Sequence, residues 1–241
     1  MSNPAASKQA DPAAAVRAEA RFGAAFLRKY RWRLLLLFIG LLLPLWAFAE
    51  LADEVREAEA FPFDEPILRF AHALARDGFD QAFVLLSALG YQYGVVPFDA
   101  LLVLGLAIRR RMREGLFAGV AIIGSALLNL AAKPSFARAR PSLWESIAPE
   151  TTFSFPSGHA MGSMTLAWVV VLLCWHTRWR LLVTLAAAMF TLLVGLSRVY
   201  LGVHYPSDIV AGWAAASVWA VGIYLLVFRG SLRPWRHAQA E

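Results

Sequence analysis

Cysteine and charge are the two features that this sequence has little of. Cys174 is the single cysteine, so no disulfide can form within one chain, and cysteine usage says nothing about the redox compartment. Charged residues make up only 17% of the 241 residues, whereas 59% are hydrophobic. A soluble domain is usually about 45–50% apolar. The composition therefore excludes an ordinary soluble protein and predicts a membrane protein.

The positive charge of the chain does not point to nucleic acid. The net charge is +6, but the basic residues gather at the ends of long apolar runs, where they are typical of membrane topology signals. We therefore expect the membrane bilayer, and no nucleic acid, as a partner. The runs predict an all-α, polytopic membrane protein with six transmembrane helices in one bundle. They cover residues 34–49, 82–108, 116–132, 160–175, 181–196 and 208–228.

The segments outside these runs have a different character. Residues 1–33 predict a disordered tail followed by a basic amphipathic segment, and residues 230–241 predict a cytoplasmic tail, which leaves 34–229 as the membrane domain. Residues 50–80 are rich in Asp and Glu and contain apolar residues at helical spacing, so they predict an amphipathic helix that lies flat on the membrane. His72, beside that stripe, is interpreted as an interfacial histidine without a catalytic role.

The distribution of basic residues predicts an orientation in the membrane. The N-terminal segment, the 109–113 run, the 178–180 turn and the C-terminal tail are basic and alternate along the chain with the other connections. We expect them on the cytoplasmic side, together with both termini. The 133–158 and 197–207 loops then fall on the outer side, and all the candidate catalytic residues lie in these loops or directly beside them.

The stretch from Ser197 to Asp208 brings three polar side chains to a membrane edge. Arg198 can hold oxyanion charge, His204 can attack phosphorus, and the aspartate can orient the histidine. The alternative is a juxtamembrane loop with an interfacial tyrosine and an arginine that extends to the lipid headgroups.

A second stretch supplies two more cations. Lys133 and Arg140 can cradle phosphate oxygens, Arg140 through paired hydrogen bonds and Lys133 as a point charge. With Arg138 they could instead form a positive cluster of the cytoplasmic side. That alternative conflicts with the predicted outer position of this loop.

The third stretch, residues 155–159, predicts the start of the fourth span. Pro156 and Ser157 suit the beginning of a helix, and Gly158 lets the backbone approach a ligand. Backbone amides at such a helix start bind anions well. His159 would stand at the mouth of the site and give a proton to a leaving oxygen, unless it only makes interfacial hydrogen bonds.

Taken together, the three stretches resemble the signature of the type-2 phosphatidic acid phosphatase superfamily, the lipid phosphate phosphatases, in its bacterial six-helix membrane branch. Their order, their spacing and their placement among the apolar runs all match, and the resemblance covers roughly residues 60–230. The signature reads Lys133-x6-Arg140-Pro141, then Pro156-Ser157-Gly158-His159, then Ser197-Arg198-x5-His204-x3-Asp208.

The resemblance implies a role for each signature residue. His204 would be the nucleophile that forms a phosphohistidine, Asp208 would orient it, and His159 would protonate the leaving group and then activate water. The family needs no metal or other cofactor, and the outer loops contain no tight carboxylate cluster that would suit Mg²⁺. The phosphoryl oxygens would be bound by Lys133, Arg140, Ser157, Gly158 and Arg198.

The function implied by the resemblance is hydrolysis of a phosphate from a lipid head group, at the outer face of a bacterial inner membrane. The substrate could be undecaprenyl diphosphate, phosphatidic acid, phosphatidylglycerol phosphate or a lipid A phosphate. A lipid phosphotransferase of the same family is an alternative, and so is a transporter that uses the intramembrane residues Asp99 and Asn129. Otherwise we interpret Asp99 as a structural polar contact. Vanadate-dependent haloperoxidases share the signature, but six lipid-embedded spans argue against that activity.

Overall fold

The computed structural model describes residues 12–229 and 233–235. Within them all regular secondary structure is helical, so the prediction of an all-α fold is confirmed. The α-helices are α1 (Pro12–Leu37), α2 (Leu43–Arg56), α3 (Asp64–His72), α4 (Asp77–Leu89), α5 (Val95–Ile108), α6 (Met112–Phe136), α7 (Gly158–Cys174), α8 (Arg180–Tyr200) and α9 (Pro206–Val227).

The first predicted span is part of a longer helical segment. A π-helical stretch, Phe38–Leu42, joins α1 to α2, so that residues 21–56 run as one helix. Residues 12–16, where the composition predicts a disordered tail, belong to α1, because alanine has the highest helix propensity and this stretch is rich in it. Residues 1–11 of the predicted tail lie outside the described part of the chain.

Four helical segments among the described residues are long and apolar enough to cross a membrane. They are residues 21–56, α6, α8 and α9, whereas α5 and α7 are apolar but shorter. α7 contacts α6, α8 and α9, which places it at the centre of the bundle. The helices fit a membrane protein, and the number of six crossings stays a prediction.

The second predicted span is broken, as its sequence suggests. α4 and α5 are separated by the turn at residues 90–94; α4 packs against α8, and α5 packs against α6 and α7. At Gly90 a Cβ would come within 2.6 Å of Val194, so a glycine is needed for this close approach to α8. The break allows the two halves of the span to contact different helices.

The two ends of the bundle differ in chemistry. At one end, α5, α6, α7 and α9 form an apolar core around Phe117 and Phe228. Trp32 of α1 packs edge-to-face on Trp175 at the same end, with 5.7 Å between ring centroids. At the other end α6 and α8 stop, α7 and α9 begin, and the signature residues meet. We call this the site end.

α3 lies across the site end of the bundle. Leu68 is fully buried between α7, α8 and α9, whereas Ile67 and Phe70 are exposed. His72 is exposed and stacks on Trp144, with 4.1 Å between ring centroids. A helix is therefore present where the acidic stretch predicts one, and its position on a membrane surface stays a prediction.

α8 is longer than the fifth predicted span. The sequence predicts that Arg198 lies in a loop. The helix instead continues to Tyr200, so Arg198 lies in its last turn. The connection to α9 shrinks to residues 201–205. α9 begins at Pro206, where the fixed φ of proline suits the first helical turn.

Candidate active site

The turn between α8 and α9 places His204. Gly202 has a φ of +67°, and Trp144 covers it so closely that a Cβ would lie 2.6 Å from the indole. Both features require glycine at this position. His204 itself is completely buried. The turn brings its ring against Asp208 in the first turn of α9.

The His204 ring has a carboxylate on one side and a guanidinium on the other. Nδ1 lies 3.4 Å from Asp208 Oδ2, and Nε2 lies 3.1 Å from Arg140 Nη1. A guanidinium can only donate, so Nε2 accepts this hydrogen bond and Nδ1 carries the proton shared with the carboxylate. This tautomer leaves the lone pair on Nε2, as a nucleophilic histidine requires.

The imidazole of His204 is neutral at neutral pH. Burial lowers the pKa of His204 to about 4, with Arg140 and Arg198 acting in the same direction, although Asp208 raises it. Asp208 Oδ2 also accepts a hydrogen bond from the Tyr205 N–H at 2.9 Å, which fixes the carboxylate.

Arg140 is anchored by the backbone of the neighbouring loops. Nε donates to Thr152 O and Nη1 to Val203 O, each at 2.6 Å. Nη2 donates to Glu150 Oε2, also at 2.6 Å. Burial lowers the pKa of the Arg140 guanidinium, but an arginine remains charged in a protein. The anchored guanidinium therefore lies between His204 and Glu150.

Two further cations surround the same place. Arg198, in α8, donates to Ser87 Oγ and to Glu150 Oε1, and its buried Nε has no hydrogen-bond partner among the described residues. Lys133, near the end of α6, donates to Thr152 Oγ1 at 2.7 Å. The three predicted cations thus converge from two helices and one loop.

Glu150 is a site residue that the sequence patterns do not reveal. Its carboxylate bridges Arg140 and Arg198, and Oε1 lies 3.9 Å from Nδ1 of His159. Burial alone would raise the pKa of Glu150, but Arg198 and Arg140 outweigh this effect and lower the pKa to about 2. An anion therefore occupies the space between the two arginines. Guanidinium groups bind carboxylate and phosphate oxygens in the same way, so the space also suits a phosphoryl group.

Ser157 and Gly158 start α7 beside His204 and Asp208. Ser157 Oγ accepts a hydrogen bond from Ala160 N at 3.4 Å as a helix cap, and Ser157 N donates to Asp208 O at 3.1 Å. The Ser157 hydroxyl is fully buried and caps the start of the helix, so it is not available in this structure for the predicted contact with phosphate. Gly158 borders the cavity of the site and lies against Asn129.

His159 lies in the first turn of α7, on the wall of the cavity. Its ring centroid is 5.1 Å from that of Tyr91. The Glu150 carboxylate is its neighbour on the other side, and Arg140 connects that carboxylate to His204. The two predicted catalytic histidines therefore border one anion-binding space.

A cavity of about 1410 Å³ opens from this space. Lys133, Glu150, His159 and Arg198 lie at its polar end, and mostly apolar residues of α5, α6 and α7 line the remainder. Asp99 lies in the apolar part, and its buried Oδ1 has no hydrogen-bond partner among the described residues. The polar contact that we expect for Asp99 is not found at this atom.

A second set of charges lies behind Asp208. Arg138 Nη1 donates to Asp208 Oδ1 at 2.5 Å, and its Nη2 donates to Asp64 Oδ2 at 2.9 Å. Ser207 donates to Asp64 through its N–H at 2.9 Å and through its hydroxyl at 2.5 Å. Arg138, which the sequence suggests only as a member of a basic cluster, is thus part of a buried ion-pair network.

The structure brings most of the predicted site together at one end of the bundle. His204, Asp208 and Arg140 form its buried part, and the remaining basic residues and His159 border the cavity. In residues 12–229 and 233–235, no group of three or more His, Cys, Asp or Glu side chains could hold a metal ion. The expected independence from metals stays a prediction.

Comparison with known proteins tests the resemblance that the signature suggests. The sequence profile of the PAP2 superfamily matches residues 114–231. This match confirms the resemblance. Phosphatidylglycerophosphatase B of Bacillus subtilis (strain 168) is 28% identical to the present chain over 156 residues, which are 63% of this chain and 76% of the relative. Undecaprenyl-diphosphatase of Sulfolobus acidocaldarius is 34% identical over 139 residues, 56% of this chain and 64% of the relative.

Solved structures give the same family. A transmembrane PAP2-type phosphatidylglycerolphosphate phosphatase from Bacillus subtilis has a TM-score of 0.65 and 25% identity, and the match covers 76% of this chain and 93% of that chain. LpxE of Aquifex aeolicus has a TM-score of 0.57 and 23% identity, with 68% and 96% coverage, and supports the fold alone. The predictions of a membrane protein and of a PAP2 phosphatase are confirmed.

Proposed function

We propose that this PAP2 protein removes a phosphate from a lipid head group through a phosphohistidine formed at His204. One observation carries the proposal: a neutral, buried histidine and three cations surround a space that already holds an anion, at the polar end of an apolar cavity. The relatives named for phosphatidylglycerophosphate and undecaprenyl diphosphate support a lipid phosphate or diphosphate as the substrate.

His204 acts as the nucleophile. Its Nε2 lone pair attacks phosphorus, and the bond between phosphorus and the leaving oxygen breaks as the N–P bond forms. The ring gains positive charge in this step, and Asp208, which accepts the Nδ1 proton, stabilises that charge. Arg140 exchanges its hydrogen bond to Nε2 for one to a phosphoryl oxygen.

The phosphoryl group takes the place of the Glu150 carboxylate. Arg140 and Arg198 already bind that carboxylate, and a second anion cannot share their space without a large cost in repulsion. Lys133 donates to the loop hydroxyl of Thr152 and can turn from it to the substrate. Three cations then stabilise the charge on the phosphoryl oxygens in the transition state.

His159 serves as the acid and then as the base. The negative charge of a bound phosphoryl group favours the protonated form of the ring, which gives its proton to the leaving oxygen. The neutral ring then takes a proton from water, whose oxygen attacks phosphorus and breaks the N–P bond. Phosphate leaves, and His204 is restored.

The cavity supports a lipid as the substrate. Its polar end contains the anion-binding space, and its apolar part along α5, α6 and α7 suits the first segment of a hydrocarbon chain. A small soluble phosphate ester would have no contact for these apolar walls.

The test is phosphate release by the full-length protein purified in detergent. Substrates would be phosphatidic acid, phosphatidylglycerol phosphate, a prenyl diphosphate and a water-soluble phosphate ester, with the His204→Ala variant as the control. We expect release from at least one lipid that the variant does not catalyse. Equal release by both proteins, or release from the soluble ester alone, contradicts the proposal.

The proposed location of the site at the outer face of the membrane can be tested by labelling. In a Cys174→Ser background, Ser142→Cys at the site end and Arg178→Cys at the opposite end place one exposed thiol each. In intact cells, we expect an impermeant maleimide to label Ser142→Cys only, because the basic connections should be cytoplasmic. Labelling of both positions, or of Arg178→Cys alone, contradicts this orientation.

A further inference from the structure

A buried chain of charges connects the surface helix α3 to the nucleophile. It runs from Asp64 to Arg138 at 2.9 Å, from Arg138 to Asp208 at 2.5 Å, and from Asp208 to His204 at 3.4 Å. The exposed fractions of the Asp64, Arg138 and Asp208 side chains are 4%, 14% and 0%. Asp64 and Arg138 contribute no contact to the anion-binding space, so their burial needs another explanation.

The charges in this chain are balanced in a particular way. Arg138 faces the same carboxylate that must stabilise positive charge on His204, and an unbalanced guanidinium there would weaken that effect. Asp64 pairs with the other side of the guanidinium. The Asp64–Arg138 pair is therefore neutral as a unit, and the full charge of Asp208 remains available to the histidine.

We propose that Asp64 is a positioning residue for the phosphatase reaction, which acts through Arg138 and Asp208 to stabilise the phosphohistidine at His204. The proposal rests on the proposed function, because it assigns Asp64 a part in the formation of that intermediate. It gives α3 a direct link to the chemistry at the start of α9.

Asp64 also has a structural role, and the two roles can be separated. Its oxygens accept the N–H and the hydroxyl of Ser207 in the first turn of α9, where a negative group is favourable. Asp64→Asn keeps an oxygen for the Ser207 N–H, but an amide NH₂ group replaces the oxygen that accepts from Arg138 and from the Ser207 hydroxyl. The variant therefore removes the charge together with that acceptor, and a shift of the pH profile, rather than a loss of activity alone, separates the proposed role from a structural one.

Other charges near His204 are unchanged in this variant. Asp208 faces the ring from α9, and further charged or titratable groups face it from α7, α8 and the loop before α7. These groups are His159, Arg198, Arg140 and Glu150. A change in the pH profile of Asp64→Asn can therefore be traced to Arg138 and Asp208.

The first test compares Asp64→Asn with Glu65→Gln. Glu65 is exposed on the same helix and pairs only loosely with Arg69, at 3.4 Å, so Glu65→Gln removes the same charge away from the network. For Asp64→Asn we expect kcat to fall by about tenfold or more, since the phosphohistidine loses stabilisation. The acid limb of kcat/KM should also move to lower pH, by roughly half a unit, because an unbalanced Arg138 disfavours the protonated form of His204.

The second test restores the charge balance without the ion pair. In Asp64→Asn/Arg138→Gln, Asp208 again faces no unbalanced guanidinium, so kcat and the acid limb should return towards the wild-type values. If Asp64→Asn does not fold, as judged by gel filtration and thermal unfolding, Arg138→Gln decides: it leaves the charge of Asp64 unbalanced near Asp208 and favours the protonated form of His204, so the acid limb should move to higher pH. An acid limb at the wild-type pH in Arg138→Gln would contradict the proposal.

Three results would overturn the proposal. They are equal behaviour of Asp64→Asn and Glu65→Gln, a loss of activity in Asp64→Asn without movement of the acid limb, and a double variant that recovers neither quantity. A wild-type protein without phosphate release, or one that is insensitive to His204→Ala, would instead contradict the proposed function. The two failures are therefore distinguishable.

Discussion

The two sides of His204 solve the problem of buried charge in opposite ways. On the Nδ1 side, which we call the closed side, every charged group has a permanent partner within the fold: Asp208, Arg138 and Asp64, with Ser207. On the Nε2 side, the open side, a carboxylate from a loop holds the cations together at the wall of the cavity. The open side consists of Arg140, Arg198, Lys133, Glu150 and His159.

The difference suggests that the closed side holds His204 in place, whereas the open side binds the substrate. Unpaired buried charges are costly, so the charges of the closed side are matched by residues of α3, α9 and the loop between α6 and α7, which do not need to move. The cations of the open side need an anion as well, and Glu150 supplies one that a substrate can replace. The effect of a substitution on the open side should therefore depend on the substrate, whereas the effect of a substitution on the closed side should be the same for all substrates.

The largest effect is expected at His204, the proposed nucleophile, where the two sides meet. His204→Ala should abolish the covalent phosphoenzyme and lower kcat by about 10⁴-fold or more, because no other described residue offers a nucleophile at that position. Rapid acid quench with labelled lipid phosphate measures both quantities. His72→Gln, at an exposed histidine outside the site, is the control. Substantial activity in His204→Ala would show that the nucleophile is another group.

His159 should give an effect that depends on the leaving group. A lipid monoester expels an alkoxide-like oxygen that needs a proton, so His159→Ala should slow phosphoenzyme formation by about 10²–10⁴-fold. An aryl phosphate or a prenyl diphosphate expels a more stable anion and should suffer much less. Stopped-flow product release with the three substrates measures the step. An equal loss for all of them would mean that His159 only binds phosphate.

Arg140→Lys should not behave as a conservative change. The guanidinium makes several hydrogen bonds at once, and an ammonium group cannot replace that fork. We expect kcat/KM to fall at least about tenfold, which equals about 1.4 kcal/mol of transition-state binding. Arg69→Lys, at an exposed position of α3, is the matched control. Wild-type kcat/KM in Arg140→Lys would mean that only the long-range charge of Arg140 matters.

The smallest effect is expected at Glu150, where a substitution should increase the affinity of the site for an anion. Glu150→Gln removes the anion that competes for the arginines, so orthovanadate should inhibit the variant at a concentration several-fold lower than for the wild type. Glu145→Gln, at an exposed position of the same loop, should leave inhibition unchanged. Weaker inhibition of Glu150→Gln would show that the carboxylate supports anion binding and does not compete with it.

The sequence reveals the residues of the open side better than those of the closed side. Lys133, Arg140 and His159 stand at fixed spacings beside prolines and helix starts, and chemistry at a membrane edge explains them. Asp64 is one of many acids in residues 50–80, and nothing local marks it. Its partner Arg138 is 74 positions away, so only the tertiary fold brings them together.

The role of Glu150 and the extent of α8 cannot be predicted from the sequence, for different reasons. Glu150 lies in a loop without periodicity, and its position is set by two arginines that converge from elsewhere in the chain. Hydropathy predicts too early an end for α8, because the apolar character stops near Leu196, whereas the helix continues through Arg198 to Tyr200. Hydropathy indicates which residues face lipid, whereas a helix ends where the backbone N–H and C=O groups no longer find hydrogen-bond partners within it.

The short central helix makes bilayer thickness relevant to catalysis. α7 has 17 residues and therefore spans about 25 Å, whereas the hydrocarbon core of a bilayer is about 30 Å thick. His159 lies in the first turn of this helix, so the helix length limits the depth of the proposed proton donor in the membrane. A thinner bilayer brings the plane of the lipid phosphates closer to His159, and a thicker one moves it away. The enzyme should thus respond to membrane thickness as well as to the head group of its substrate.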